Sequence, residues 1–369
     1  MIDSHPPGSV LLTSEVVYIF GRIIHPNGLG ALIALLDGAA DEPIPALDHR
    51  TPLEAAEKPF IDRLASSGLV GYTGAYLHTH QFLADLLAEG GRVPRGVLEA
   101  LALDIPLREG VAVYRLSPAR ADGGAIELEY GLSEDVLRSL EASVDKTLPL
   151  ISDLEPRIYF NGGRGVLVLE KAGFEPISSS PFEGNPLSAL PKILQDFVME
   201  VASRNGGLTI IPWGGGILEN LRLRPKIREL SILSNSPAAH GLAKILKLKA
   251  YSISGLNDLL DRARSLLGEG GVLIHFERPD EESHRRSYVG KVSAIEEADR
   301  ALEELYRETG CRILLMIDHG ASSITGRHFR VETPFLYAER PAEEALRRFH
   351  EKVSGEFVPA GRLLDPISR

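Results

Sequence analysis

Short apolar runs alternate with longer amphipathic stretches through the second half of the chain. Strands are predicted for the apolar runs at 249–254, 271–276, 312–317 and 334–338. Helices are predicted for the amphipathic stretches at 237–247, 256–267, 290–308 and 341–353. Before them come a predicted helix at 188–203 and a predicted strand at Leu208–Ile211. The glycine run Gly214–Gly216 that follows is expected to form a tight turn between this strand and the next helix. This alternation predicts an α/β fold with a mostly parallel sheet flanked by helices.

The first half of the chain contributes one clear strand and then changes in texture. Ala31–Leu36 is an unbroken apolar run, and Thr51 with Glu54 forms a capping box that opens a helix. Short predicted strands and a single helix follow without regular alternation, which is typical of an inserted α+β unit. The prediction is an N-terminal extension at residues 1–30 and a discontinuous core made of residues 31–104 and 188–369. Residues 105–187 are predicted to form an inserted cap domain.

Composition restricts the class of protein and its partners. The chain has 369 residues, 44% of them hydrophobic, and a formal net charge of −11. Nucleic acid is therefore not an expected partner, because binding phosphate backbones requires a basic face. No run approaches the ~18 apolar residues of a membrane helix. The lone cysteine, Cys311, fits a reducing compartment, so we expect a cytoplasmic protein without membrane contact.

Six polar residues follow apolar runs in a way that suggests a metal site. Asp and His stand at the ends of predicted strands or in the loops after them, where ligands of open α/β sheets bind. These residues are Asp37, Asp280, His284, Asp318, His319 and His328. Three carboxylates and three imidazoles could hold two divalent ions. Such a pair of ions stabilises the attacking and leaving oxygens of a phosphate ester, so the pattern indicates phosphoryl chemistry.

The segments that carry these residues resemble a known family. The run Asp37–Pro43 with the capping-box helix, the run Pro279–His284, and Asp318-His319 followed by His328 resemble motifs of the archaeal cofactor-independent phosphoglycerate mutases. The resemblance spans most of residues 31–340 and implies an alkaline-phosphatase-like core. It also implies the family reaction, the interconversion of 3- and 2-phosphoglycerate.

The resemblance further implies how the metal ligands divide. One ion would be held by Asp37, Asp318 and His319, and the other by Asp280, His284 and His328. Manganese is the implied metal, with zinc or cobalt as alternatives, because carboxylates and imidazoles suit all three. Substrate contacts are implied for three arginines, namely Arg95, Arg115 and Arg164.

The chain departs from the family pattern around its nucleophile. Alignment on His80 places Tyr76 where the family has its nucleophilic serine, and only Thr73 and Thr79 offer an aliphatic hydroxyl nearby. Thr79 is a candidate replacement that would require a shift of register. Positions where the family has an arginine, a histidine and a lysine are occupied here by Trp213, Phe182 and Glu277 respectively.

Three functions stay open at this point. The first is the mutase reaction, the second is hydrolysis of another phosphate ester by metal-bound hydroxide, and the third is a binding role without catalysis. The first two expect two divalent ions and a small phosphorylated metabolite as partner. The third expects a relic of the metal site and a partner surface at the cap cleft near Trp213, Tyr76 and Phe182. No organic cofactor is expected, and a homo-oligomer is an open alternative. His78 and His80 are candidate replacement ligands, whereas His240 and His275 are expected to be packing or turn residues.

Overall fold

The computed structural model describes residues 30–122, 125–177, 179–184, 186–218 and 223–364. Apart from Gly30, the predicted N-terminal extension lies outside the described residues. The strands, numbered along the chain, are β1 (Ala31–Leu36), β2 (Leu69–Thr73), β3 (Ala88–Glu89), β4 (Ala112–Asp122), β5 (Ala125–Leu128), β6 (Pro156–Asn161), β7 (Arg164–Leu169), β8 (Leu208–Ile217), β9 (Arg224–Pro225), β10 (Leu230–Leu233), β11 (Lys249–Tyr251), β12 (Gly271–Phe276), β13 (Arg312–Ile317), β14 (Gly320–Ala321), β15 (His328–Phe329), β16 (Thr333–Ala338) and β17 (Glu356–Phe357).

The described α-helices are α1 (Pro52–Ala55), α2 (Pro59–Ser67), α3 (Thr79–Leu87), α4 (Arg95–Ala102), α5 (Glu134–Thr147), α6 (Lys192–Arg204), α7 (Pro237–Leu246), α8 (Leu256–Leu267), α9 (Arg278–His284) and α10 (Tyr288–Thr309). Short 3₁₀ helices lie at Pro45–Leu47, Leu148–Leu154, Pro186–Ala189 and Ala360–Arg362. The capping box at Thr51 is present, but the helix ends early and a second one begins at Pro59. No described helix combines the length and apolarity needed to cross a membrane.

The main sheet has eight strands in the order β11-β10-β12-β1-β13-β16-β2-β17. Among these strands only β16 is antiparallel to its neighbours, so the predicted mostly parallel sheet is confirmed. The predicted bounds of β1, β12 and β13 agree with the structure. Side chains alternate along β1, with Ile33 and Leu35 in one apolar layer and Leu32, Ala34 and Leu36 in the other. Both faces of the sheet are therefore covered, as an unbroken apolar strand requires.

A second sheet holds β5, β4, β7 and β6 in that order, and β8 also pairs with β4. The predicted domain bounds place the helix at 188–203 and the strand at Leu208–Ile211 in the core domain, together with the main sheet. The hydrogen bonds place that strand in the second sheet, and the helix packs in the apolar cluster of that sheet. The prediction was wrong here because alternation of helices and strands does not state which sheet a strand joins.

The glycine run does not form the expected turn. Gly214, Gly215 and Gly216 continue strand β8. A Cβ on Gly215 would overlap the ring of Tyr114, and one on Gly216 would overlap Pro94. Glycine is therefore required because β8 approaches strand β4 and the loop before helix α4 closely, and not because the chain reverses here.

The helix predicted at 341–353 is absent from the structure. Its backbone N–H groups are bound elsewhere, because those of Leu346 and Arg347 donate to Ser66 Oγ and that of Phe349 donates to Asp62. The Phe349 side chain is fully buried. Tertiary hydrogen bonds to helix α2 thus replace the helical ones that the amphipathic pattern suggested.

Candidate metal centre

Three aspartates lie at the carboxyl end of three adjacent strands. Strand β1 lies between β12 and β13 in the sheet. Asp37 follows β1 directly and Asp318 follows β13, while Asp280 lies in helix α9 shortly after β12. All three strands are parallel, so their carboxyl ends meet at one edge. The order of strands therefore gathers residues that are far apart in the chain.

Asp280 lies at the centre of the cluster. Its two carboxylate oxygens lie 3.2 Å from His284 Nε2 and 3.1 Å from His328 Nε2. The ligand atoms of these three residues lie within 4.8 Å of one another, and the same holds for Asp37, Asp280 and His319. Two groups able to hold a metal ion therefore overlap, and Asp280 belongs to both.

Two imidazoles are oriented with Nε2 towards the cluster. His284 Nδ1 lies 2.9 Å from the carbonyl of Gly326, and His328 Nδ1 lies 2.7 Å from that of Leu77. A carbonyl only accepts, so each Nδ1 carries a proton and each Nε2 is the ring atom left to bind a cation. The two Nε2 atoms are 3.2 Å apart and both face Asp280. Two imidazole nitrogens converging on one carboxylate form a donor set that fits a divalent metal.

Asp318 presents one carboxylate oxygen to the same edge. Its Oδ1 accepts a hydrogen bond from Gly38 N at 3.0 Å, whereas its buried Oδ2 has no hydrogen bond and lies 3.5 Å from His319 Nε2. Burial and the charge of Asp37 raise the pKa of Asp318 to about 6. A buried carboxylate oxygen without a hydrogen bond is unsatisfied, and a metal ion would supply a partner. Gly38 has φ +58°, and a Cβ there would lie 2.7 Å from Asp280 Oδ1, so glycine keeps this corner open.

Thr79 places a hydroxyl in the cluster. It begins helix α3, and its Oγ1 donates to Asp37 Oδ1 at 2.8 Å and lies 3.3 Å from His319 Nε2. Tyr76, at the aligned serine position, instead donates its phenol O–H to Asp85 at 2.8 Å. Asp85 is not among the cluster or the pocket residues. The structure thus brings Thr79 to the candidate metals and leaves the Tyr76 hydroxyl away from them.

Burial and neighbouring charges shift the pKa values of the cluster in opposite directions. Burial would lower the pKa of His319, but the carboxylates of Asp318, Asp37 and Asp280 outweigh it and raise that pKa to about 10. Burial lowers the pKa of His328 to about 4, and the neighbouring His319 acts in the same direction. Burial also acts to raise the pKa of Asp280, yet the adjacent imidazoles hold it well below its usual value. Such divergent values are typical of functional sites.

His275, which is expected from the sequence to be a packing or turn residue, contacts a metal-ligand candidate. It lies in strand β12 with only 3% of its surface exposed, and its Nε2 contacts Asp37 Oδ2 at 2.9 Å. Its Nδ1 lies 2.9 Å from Ser234 Oγ. With one oxygen of Asp37 held by His275, the other oxygen faces Thr79 and His319. The signal available in the sequence was a histidine inside an otherwise apolar strand.

A cavity of about 280 Å³ opens above the cluster and is lined from both sheets. The core contributes ligand candidates and Thr79. The unit built on the second sheet contributes side chains that face them across the cavity, namely Arg115, Tyr130, Arg164, Phe182 and Trp213. The Tyr130 ring stacks on His284 with a centroid distance of 4.2 Å, and the Phe182 ring stacks on His328 at 4.1 Å. The pocket therefore exists only because the two sheets meet here.

The three predicted substrate-binding arginines all line this pocket, but they differ in their partners. Arg95 and Arg115 each donate to Glu99 Oε1 at 2.6 Å, and all three of these residues are largely buried. Burial, and then the nearby Arg95, lower the pKa of Arg115 to about 9, although Glu99 opposes the shift. Arg164 is exposed. Two guanidinium groups on one carboxylate leave a net positive charge at this end of the pocket.

His78 and His80 belong to neither of the two ligand groups found among the described residues. His78 lines the pocket with its ring centroid 6.3 Å from that of His328, but its Nε2 lies 2.8 Å from Ser180 Oγ. Thr73 is fully buried in strand β2, and it does not line the pocket. Of the two hydroxyls considered as replacements for the family's nucleophilic serine, only that of Thr79 lines the pocket.

Comparison with known proteins agrees with this geometry. A family model described as the metalloenzyme superfamily matches residues 253–361, which contain five of the six ligand candidates. The 2,3-bisphosphoglycerate-independent phosphoglycerate mutase of Methanoculleus marisnigri is 26% identical over 83% of this chain and 87% of its own length. The corresponding enzyme of Pyrobaculum aerophilum is 25% identical, over 87% and 91%. Residues 253–361 thus match the metalloenzyme superfamily, and the chain is similar to the archaeal phosphoglycerate mutases over most of its length.

Solved structures extend the relationship to the fold of this mutase relative. A protein from Pyrococcus horikoshii matches with a TM-score of 0.64 and 18% identity, over 91% of this chain and 96% of the other. The cofactor-independent phosphoglycerate mutase of Thermoplasma acidophilum matches with a TM-score of 0.51 and 19% identity, over 91% and 98%. The alkaline-phosphatase-like fold class expected from the sequence is thus confirmed.

Proposed function

We propose that this protein transfers the phosphoryl group of a small phosphate monoester to Thr79 and then to water. The observation that carries the proposal is the position of the Thr79 hydroxyl, which lies among the metal-ligand candidates and lines the pocket. Two divalent ions, held by the six residues named above, would polarise the ester and stabilise the developing charge. Manganese is the proposed metal, with zinc or cobalt as alternatives.

The residues of the chain would divide the reaction between them. Thr79 Oγ1 forms a bond to phosphorus while the ester P–O bond breaks, and the leaving alkoxide takes a proton from water. Asp37 Oδ1, at 2.8 Å, accepts the proton of the Thr79 hydroxyl as the new bond forms. Water then displaces Thr79 from phosphorus and releases inorganic phosphate. Arg95, Arg115 and Arg164 would attract the anionic substrate to the pocket.

The mutase reaction is the second candidate, because relatives of this chain are named for it. It would share the first step, and the phosphoryl group would then return to a different oxygen of the same alcohol. Inorganic phosphate is the product of one reaction and 2-phosphoglycerate that of the other. Assaying both products from 3-phosphoglycerate therefore separates the two candidates. A protein that turns over no phosphate ester would support the binding role instead.

Substitution of Thr79 tests the nucleophile. We expect Thr79→Ala to lower kcat/KM for p-nitrophenyl phosphate by roughly 10³-fold, because a covalent nucleophile is lost. Thr79→Ser keeps the hydroxyl and should retain most of the activity. Phosphothreonine at position 79 should be found by mass spectrometry after acid quenching of the wild-type reaction.

Tyr76→Phe is the matched control, because it removes a hydroxyl bound to Asp85 outside the pocket. We expect its kcat/KM to stay within about twofold of wild type. Metal content measured on each variant shows whether the site is still loaded. Full activity of a metal-loaded Thr79→Ala protein would refute the covalent step and leave direct attack by water.

A further inference from the structure

Glu277 occupies the N-terminus of a helix beside the pocket. It follows strand β12, and its Oε1 accepts hydrogen bonds from Asn235 N at 2.6 Å, Ser236 N at 2.9 Å and Ser234 Oγ at 2.9 Å. Asn235 and Ser236 directly precede the ten-residue helix α7. The amides at a helix N-terminus are a favourable position for an anion. Here the protein fills that position with its own carboxylate.

Glu277 also lines the pocket, and only the His275 ring separates it from Asp37, a metal-ligand candidate. His275 Nδ1 is 3.5 Å from Glu277 Oε1, and His275 Nε2 is 2.9 Å from Asp37. A substituent a few bonds from a phosphate bound at the cluster would therefore meet this carboxylate. A second anionic group would be repelled there, whereas a hydroxyl or ammonium group could donate a hydrogen bond.

Two largely buried arginines of the pocket, Arg95 and Arg115, also have partners within the protein. Glu99 accepts from both Arg95 and Arg115, and Arg115 also donates to Ser117 Oγ at 3.2 Å. The Trp213 ring lies 4.9 Å from the Arg115 guanidinium and covers it. These guanidinium groups have defined partners already, so a substrate carboxylate would have to compete with Glu99.

The roof of the pocket is aromatic where it faces the metal-ligand candidates. Tyr130 and Phe182 stack on His284 and His328 and present no positive charge. Arg164 is exposed at the rim, and exposed charges attract ligands weakly because water and salt screen them. The net positive charge of the described pocket thus lies at the Arg95 and Arg115 end and at the rim, and the positions beside Glu277 favour one anionic group, the phosphate, and not two.

From this we infer the substrate class: a phosphate monoester whose alcohol portion carries a hydrogen-bond donor, a hydroxyl or an ammonium group, and no carboxylate. Glu277 is the residue that determines this specificity. The inference rests on the proposed phosphoryl transfer and goes further by excluding phosphoglycerates as preferred substrates.

Glycerol 3-phosphate and 3-phosphoglycerate form the test pair, because the second has a carboxylate in place of a hydroxymethyl group of the first. We expect kcat/KM of the metal-loaded protein to be at least about tenfold higher for glycerol 3-phosphate. Phosphoethanolamine in a parallel assay distinguishes an ammonium donor from a hydroxyl donor. Binding of each ester is also measured by calorimetry on the Thr79→Ala protein, so that the preference can be read without turnover.

Glu277→Gln tests the assigned residue. Glutamine keeps the size and can still accept from the helix amides, but it has no charge, so the preference should fall towards onefold. Glu281→Gln is the matched control, because Glu281 lines the same pocket at an exposed position and contacts no amide of helix α7. That variant should keep the wild-type ratio.

The outcomes separate this inference from the proposed function. Turnover of p-nitrophenyl phosphate together with equal or better use of 3-phosphoglycerate would overturn the substrate class and leave phosphoryl transfer in place. Absence of turnover for every ester would overturn the proposed function, and the calorimetric preference would then decide the inference alone. Binding of neither ester, or an unchanged ratio in Glu277→Gln, would count against Glu277 as the determinant.

Discussion

Asp280 differs from the other ligand candidates because its carboxylate belongs to both groups. One group joins it to His284 and His328, and the other joins it to Asp37 and His319. Each imidazole of the first group faces a different oxygen of Asp280. Loss of this carboxylate would remove a ligand from both ions, whereas loss of one histidine would remove a ligand from one ion.

This difference predicts the metal content of two variants. After dialysis against Mn²⁺, Asp280→Ala should retain close to no metal, whereas His284→Ala should lose the ion of its own group and keep the other. Plasma emission spectrometry on protein purified without chelator measures the ratio of metal to protein. Equal losses in the two variants would argue against a shared ligand, and circular dichroism checks that both variants are folded.

Residue chemistry identified most of the cluster, and contacts supplied the rest. Five of the six predicted ligand residues form the two groups, and Asp318 contacts His319 of the second group at 3.5 Å. They meet because Asp and His after apolar strands reach the same edge of a parallel sheet. Alignment by spacing selected Tyr76, but its phenol binds Asp85 and the hydroxyl of Thr79 lies in the cluster. A shift within one loop is invisible to spacing, since only the fold shows which hydroxyl points inward.

At the scale of elements, a buried ion pair ties the metal-binding loops together. Lys291, in helix α10, is fully buried and donates to Asp41 Oδ2 at 3.0 Å. It also donates to the carbonyls of Ala40 and Ala321. Ala40 and Asp41 belong to the loop after β1, and Ala321 lies after β13. One ammonium group therefore fixes the two loops that carry Asp37 and Asp318.

Removing this lysine should destabilise the protein strongly. Lys291→Met leaves Asp41 buried without its counter-ion, which typically costs about 3–5 kcal/mol of the free energy of unfolding. Lys192→Met is the control, because it breaks an exposed pair with Asp196 whose contribution is about 0–1 kcal/mol. Urea denaturation followed by circular dichroism measures both. A loss below about 1 kcal/mol for Lys291→Met would show that the pair is not a structural tie.

Elements were predicted best where the local pattern agreed with the tertiary environment. The bounds of β1, β12 and β13 followed from uninterrupted apolar runs, because these strands are covered on both faces. The helix expected at 341–353 failed because the side chains of helix α2 take its backbone donors. The role of the glycines in β8 depended on Tyr114 and Pro94, which are distant in sequence.

For the whole molecule, metal binding should be coupled to proton release. In the metal-free protein the carboxylates around His319 raise its pKa to about 10, and Asp280 raises that of His284, although burial opposes both shifts. At neutral pH His319 therefore holds a proton that it must lose to bind a cation, and the raised pKa of His284 acts in the same direction. Since protons compete with the metal, the apparent affinity falls as the pH falls.

We expect the affinity for Mn²⁺ to rise by roughly tenfold per pH unit between pH 6.5 and 7.5 for each proton released. Isothermal titration calorimetry in two buffers with different ionisation enthalpies counts those protons. Stability should follow the same trend, with a larger metal-induced increase in the urea midpoint at the higher pH. An affinity that is independent of pH over this range would mean that the imidazoles are already neutral.

By itself, the sequence determined the class of fold, the ligand candidates and the family, because these depend on periodicity and on residue types at fixed spacings. The tertiary structure decided which sheet β8 joins, that Thr79 and not Tyr76 faces the cluster, and that Glu277 fills the N-terminus of helix α7. These three outcomes depend on contacts between distant segments. Local patterns carry no record of such contacts, so the chemistry of the pocket emerges only when the two sheets are brought together.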